Sequence, residues 1–189
     1  MVNTALDQDT GLAMSRDEYR RWAMSQPSGR FERVDGQVVA MASERASHAK
    51  RKALVWLALR QAVAASGLSC EVFPDGMTIE AGESDYEPDA VLRCGVPLPD
   101  DSIAVPDPLV IVEVLSPGTR NVDLTRKLAA YFQVQSLRHY LVFWAAERRV
   151  IHHRRGEDGG DILTRIVTGG HIVLDPPGVT ITVEEVYAG

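Results

Sequence analysis

Seven residues, Leu109-Val-Ile-Val-Glu113-Val-Leu115, constrain this chain more than any others. Six of them are apolar, on both faces of any strand they form, which is the pattern of a strand covered on its two sides. A carboxylate left charged and unpaired there costs several kcal/mol, comparable to the whole stability margin of a small domain. Glu113 therefore needs a basic partner, a proton or a metal ion.

A second carboxylate stands in a related setting. Tyr86-Glu-Pro-Asp89-Ala-Val-Leu92 puts Asp89 at the mouth of another apolar strand, directly after a proline. Proline is tolerated there because the ladder has not begun. If the two strands are neighbours, Asp89 and Glu113 converge. Carboxylate oxygens at one point suit Mg²⁺ or Mn²⁺, whereas zinc prefers nitrogen and sulfur.

The 189 residues suffice for one domain with a proper core, and 45% hydrophobic with 24% charged residues excludes a disordered chain. No apolar run approaches the roughly 20 residues of a membrane-spanning helix. The first residues carry acidic groups and no apolar core, so no signal peptide is expected and the location expected by default is cytoplasmic. Cys70 and Cys94 have no ligand spacing and suggest no disulfide framework. A net charge of −6 argues against a protein that coats nucleic acid nonspecifically. Its distribution is uneven: residues 69–108 hold ten acidic groups against Arg93 alone, and residues 113–155 hold eight basic against three acidic. Such a boundary would seat a metal beside a phosphate backbone, or would simply be an uneven surface.

Residues 1–14 read as a loose tail and 15–189 as a single domain. Ser15 with Glu18 is a capping-box pattern opening a short helix through about residue 25. Asp35-Gly36 suits a tight turn between two β-prone runs. A long helix is expected over 44–66, with His48, Lys52, Val55, Leu59 and Ala62 on one face and Gly67 at its stop. Strands follow at about 69–73, 76–80, 89–94 and 109–116, then a helix over 123–134. The segments LRHYLVFW and RRVIHHRR form a hairpin, followed by two weaker strands near 162–167 and 171–174 and a last strand, VTITV, leading into a short terminal turn. This order is mixed α/β around one central sheet.

With these pieces in place, the chain resembles the PD-(D/E)XK nuclease superfamily, and within it the Uma-two family of restriction-endonuclease-like proteins. The resemblance is carried by Pro88-Asp89 followed after 23 residues by Glu113, by ExxDGxVxxM from Glu32 to Met41, by a helix bearing His48, and by FPDGM with Asp75. It continues through EPDAVL, VIVEVLSPGTR and DLTRKLAAYF leading into LRHYLVF, over roughly residues 15 to 187. It implies a restriction-endonuclease-like mixed central β-sheet flanked by helices with additional β-hairpins. It also implies metal-dependent hydrolysis of phosphodiesters, with nucleic acid, DNA above all, as partner, no membrane, and a homodimer as one arrangement.

The chain departs from the superfamily pattern at Leu115, where a lysine is expected two residues after Glu113. The resemblance moves that amine to Lys127 on the following helix. Asp89, Glu113 and the backbone carbonyl of Val114 would then hold Mg²⁺ or Mn²⁺, with Asp75 as a further candidate, and Lys127 would be the catalytic amine.

Each assignment has a plainer alternative. Glu113 would pair with Arg120 or Arg126, and Asp89 and Asp75 would be turn residues. Lys127 would pair with Asp123 one turn away. Glu32 would be an outer acidic ligand or half of a cross-strand charge pair. His48 would serve the site or sit in the core, and Tyr131 would orient a phosphate or pack. His152 and His153 alternate faces and are read as structural. Two other functions also stay open: a non-catalytic nuclease-fold module, which Leu115 and the acidic charge favour, and a self-associating structural protein using the LVFW segment.

Overall fold

The computed structural model describes the backbone of residues 8–115 and 121–188 and the side chains of residues 10–115 and 124–188. Within the segment expected to be a tail, Gln8–Ala13 forms strand β1, antiparallel to β3 (Gln37–Ala40). The first seven residues lie outside the described part. Between these strands come α1 (Arg16–Ser25), opened by the expected reciprocal cap of Ser15 and Glu18, and β2 (Phe31–Val34). Asp35 and Gly36 both take positive φ (50° and 83°), the conformation that a two-residue hairpin between twisted strands requires.

The long helix α2 (Ala46–Ser66) ends at Gly67, which is left-handed at φ 67°. After it come β4 (Cys70–Pro74), β5 (Ile79–Ala81), β6 (Ser84–Tyr86), β7 (Ala90–Cys94) and β8 (Val110–Leu115). Helix α3 (Asn121–Tyr131) leads to β9 (His139–Trp144), β10 (Val150–Arg155) and β11 (Ile162–Val167). A hairpin of β12 (His171–Leu174) and β13 (Val179–Thr182) ends in the short α4 (Val183–Val186).

A six-stranded sheet in the order β11-β10-β9-β8-β7-β4 forms the centre. All its pairs are antiparallel except β8 with β9, whose parallel register follows from the crossover through α3. A five-stranded antiparallel sheet, β1-β3-β2-β6-β5, lies on one side. Strand β6, for which the sequence pattern carries no signal, is three residues long, turns back on β5 at Gly82 and belongs to this second sheet.

Alternation along β8 divides the core. Val110, Val112 and Val114 join α2, β12, β13 and α4 on one face, while Ile111 and Leu115 join α3 and the second sheet on the other. Glu113 shares the second face. The LVFW segment is largely interior: Leu141, Val142 and Phe143 are buried in β9, and Trp144 alone of the four is partly exposed. Among the described residues no helix is long and apolar enough to cross a membrane.

One sequence expectation is overturned. Cys70 and Cys94 stand directly opposite each other on β4 and β7 and form a disulfide. Their 24-residue separation matches no short spacing pattern, so only the strand pairing brings the two thiols together.

Candidate active site

The site grows from the end of the β7–β8 ladder. Ala90 is paired with Val112, and the Asp89 amide donates to the Val112 carbonyl at 3.0 Å. Asp89 therefore stands across from Glu113 at the end of the ladder, where its side chain turns toward α2, while Glu113 lies on the face that carries Ile111 and Leu115. The Val114 amide donates to Asp89 Oδ2 at 2.6 Å, which fixes the aspartate against the strand bearing Glu113.

Helix α3 supplies the groups that meet Glu113. Lys127 Nζ lies 3.0 Å from Glu113 Oε1, and the Tyr131 hydroxyl donates to the same oxygen at 2.8 Å. The two are one turn apart on α3, so a single helix face delivers both. Lys127 also reaches Glu32 Oε1 on β2 at 3.2 Å, and Glu32 accepts the Glu87 amide at 3.0 Å. Glu32 faces Val39 across the β2–β3 hairpin, so its charge partner is Lys127 and not a residue of β3.

Helix α2 supplies a second set. His48 Nε2 donates to the Val114 carbonyl, which fixes the imidazole proton on that nitrogen. One turn later Lys52 is buried, with Nζ 3.0 Å from Asp89 Oδ1 and 2.6 Å from Asp75 Oδ2, and in contact with Glu44. Arg30 completes the rim, 2.8 Å from Asp75 and 3.0 Å from Glu87. A cleft of about 240 Å³ opens here, lined by Glu44, Lys52, Trp56, Asp75 and Asp89 among others. A broader depression of about 400 Å³ near Ser15, Arg33 and Glu83 holds none of these site residues.

The electrostatics follow from burial. Glu113 is pushed up from 4.5 to about 8, mainly because burial disfavours its charge; Asp89 and Glu32 add to this, and Lys127 and Tyr131 only partly offset it. Burial, then Glu113, likewise raises the Tyr131 phenol. Burial acts to lower Lys52, but Asp89, Asp75 and Glu44 outweigh it and hold the amine above its ordinary value. Asp75 is held below its ordinary value because Lys52 and Arg30 overcome its burial.

Every candidate from the sequence thus enters one connected network: Asp89, Glu113, the Val114 carbonyl, Lys127, Tyr131, Glu32 and His48 directly, and Asp75 through Lys52. Arg126 lies beside Asp35, 3.6 Å away. Arg120 and the Asp123 side chain lie outside the described residues. His152 and His153 stand apart, the first against His139 at 2.9 Å and the second against Thr164 at 2.8 Å. Sequence reasoning missed Lys52, Glu44 and Arg30 as members of the site. The available signal was Lys52 itself, a cation on the inward stripe of α2, one turn from His48.

No three acidic or histidine side chains form a ready-made metal cage among the described residues. Two carboxylates and a backbone carbonyl remain, all hard oxygen donors. That set fits a magnesium-like ion, which keeps several waters and takes one or two carboxylates plus substrate phosphate.

A family model described as "Putative restriction endonuclease", Uma2, matches residues 16–184. The chain belongs to the Uma2 family. A full-length relative from Synechocystis sp. (strain ATCC 27184 / PCC 6803 / Kazusa), described as uncharacterized protein slr1290, is 25% identical over 187 residues, spanning 93% of this chain and 92% of that one. The fold is similar to the 1.96 Å crystal structure of a DUF820 protein from Anabaena variabilis ATCC 29413, described as a putative nuclease. The TM-score is 0.74 at 12% identity, over 93% of this chain and 98% of the other. Uma2 membership supports a nuclease function, and the likeness to the Anabaena protein shows a shared fold.

Proposed function

We propose that this Uma2 protein is a Mg²⁺- or Mn²⁺-dependent endonuclease that hydrolyses phosphodiesters in DNA. The observation that carries the reading is that buried Glu113 in β8 is paired with Lys127 of α3 at 3.0 Å and feels the charge of buried Asp89, just before β7. Asp89, Glu113 and the second lone pair of the Val114 carbonyl would hold the ion. When bound, such an ion polarises a phosphate oxygen and makes hydroxide accessible near neutral pH. Lys127 stands where its ammonium would orient a water or meet charge developing on the phosphate. Tyr131 fixes Glu113 Oε1, and His48 fixes the strand through the Val114 carbonyl. Cutting both strands of a duplex needs two such sites, so a homodimer on DNA is part of the proposal.

The test is calorimetric titration of Mn²⁺ into the wild type, Glu113→Gln and Asp89→Asn, followed by a DNA cleavage screen with Lys127→Ala. Binding that both carboxylate substitutions abolish, with cleavage lost in Lys127→Ala, supports the reading. A folded wild type that binds no Mn²⁺, alone or with DNA, overturns it. The second reading, a non-catalytic module, is favoured by Leu115, which is buried in the apolar cluster where the superfamily pattern has its lysine. On that reading Lys127→Ala changes stability and leaves nucleic-acid binding intact.

A further inference from the structure

The amine of Lys52 occupies an unusual position. Three carboxylates from three separate elements converge on it: Glu44 just before α2, Asp75 just after β4, and Asp89 just before β7. Only 8% of its side chain is exposed, and it forms part of the wall of the 240 Å³ cleft. Three acid oxygens thus surround one buried ammonium. One of the three, Asp89, is also the carboxylate assigned to the metal.

We propose that Lys52 is a built-in counter-cation that occupies Asp89 in the metal-free protein and must release it for a divalent ion to bind. The inference rests on the metal-dependent reading above. The same aspartate oxygen, Oδ1, cannot keep an ammonium at 3.0 Å and take a dication at coordination distance, because the two cations would repel at close range in a poorly hydrated site. Lys52 therefore reduces apparent metal affinity by the fraction of molecules in which the latch is closed. Once released, the amine remains tied to α2 at the edge of the cleft, where Asp75 and Glu44 still hold it. A phosphate in the cleft would be a further partner, so metal and substrate would each favour the binding of the other.

Mn²⁺ binding to the chelator-stripped full chain is measured by calorimetry for the wild type, Lys52→Met and Lys50→Met. Lys50 is exposed on the same helix and carries the same charge, so its variant reports the plain effect of losing one positive charge. Lys52→Met is expected to bind Mn²⁺ about tenfold more tightly than the wild type or better, and well beyond Lys50→Met. Equal or weaker binding by Lys52→Met overturns the latch while leaving the metal site standing.

The unfolding risk of Lys52→Met is met by a measurement on the wild type itself. Amine labelling read by mass spectrometry should find Lys52 protected in chelator and labelled faster once Mn²⁺ is added. Protection that is unchanged or increased by Mn²⁺ overturns the proposal. Absence of Mn²⁺ binding in both the wild type and Lys52→Met overturns the metal-dependent reading and the latch with it.

Discussion

Replacing the central carboxylate of the site should make the metal-free protein more stable. Glu113 lies in β8 with its charge opposed first by burial and then by Asp89 and Glu32, so it holds its proton up to about pH 8 instead of 4.5. In the unfolded chain the same group ionises near its ordinary value. Between these limits the folded state keeps a proton that the unfolded state has lost. This group's contribution is therefore fully present below about pH 4.5 and is lost as pH rises through 8. The gap between the two values corresponds to about 5 kcal/mol at alkaline pH, as large as the stability margin of many domains. Glu113→Gln mimics the protonated acid, and its amide oxygen still accepts from Tyr131 and Lys127. Urea unfolding in chelator should show the variant level with the wild type near about pH 5 and more stable by several kcal/mol near about pH 9. A variant less stable than the wild type at the alkaline end would refute the reasoning, since Glu113 would then be well compensated in the absence of metal.

Other consequences are open to direct measurement. Lys127→Met strands Glu32, and above about pH 8 Glu113 as well, so a loss of about 3–5 kcal/mol is expected by urea titration near about pH 9, and acidification should relieve part of it. Mn²⁺ at about a hundred times its dissociation constant should add about 2.7 kcal/mol to wild-type stability, read as a rise in Tm that Asp89→Asn removes. Burial pushes His139 down to about 4 and His152 down to about 3. Their neutral forms therefore favour folding above about pH 6.5, and that contribution is lost as pH falls through about 4 and then 3. His139→Gln with His152→Gln should flatten this acid limb in a Tm-against-pH scan. Reducing the Cys70–Cys94 bridge opens a loop of 24 residues, and the chain-entropy estimate of about 3 kcal/mol should appear as a lower urea midpoint in reductant.

The parts legible in the sequence were those carried by local chemistry. The capping box at Ser15, the turn at Asp35-Gly36 and the stop at Gly67 each follow from the conformational preference of one or two residues. Glu113 was legible because a charge in an apolar strand is a contradiction that only tertiary structure resolves. The Cys70–Cys94 pairing was not legible, since it depends on β4 and β7 being neighbours in that register. Strand β6 was hidden by its length of three residues and by Glu83, Asp85 and Glu87, which read as a polar loop. Lys52 was hidden differently. It appeared as one member of an amphipathic stripe, and its role depends on acids at positions 44, 75 and 89 that no spacing rule connects.

The two lysines approach the carboxylate pair through different helices, and their settings differ. Lys127 is enclosed between Glu32 and Glu113, beside the Tyr86 ring at 5.3 Å, and does not line the cleft. Lys52 lines the cleft directly. A phosphate entering through this cleft therefore meets Lys52, Asp75 and Asp89 before it can approach Glu113. That path is predominantly acidic, so a naked polyanion is repelled unless cations arrive with it or before it. On the proposed reading, a divalent ion at Asp89 would make the path more positive. On the proposed reading, the same residues that hold the site together would bias it against nucleic acid until a divalent ion is present, which gives a physical reason for the order metal first, phosphate second.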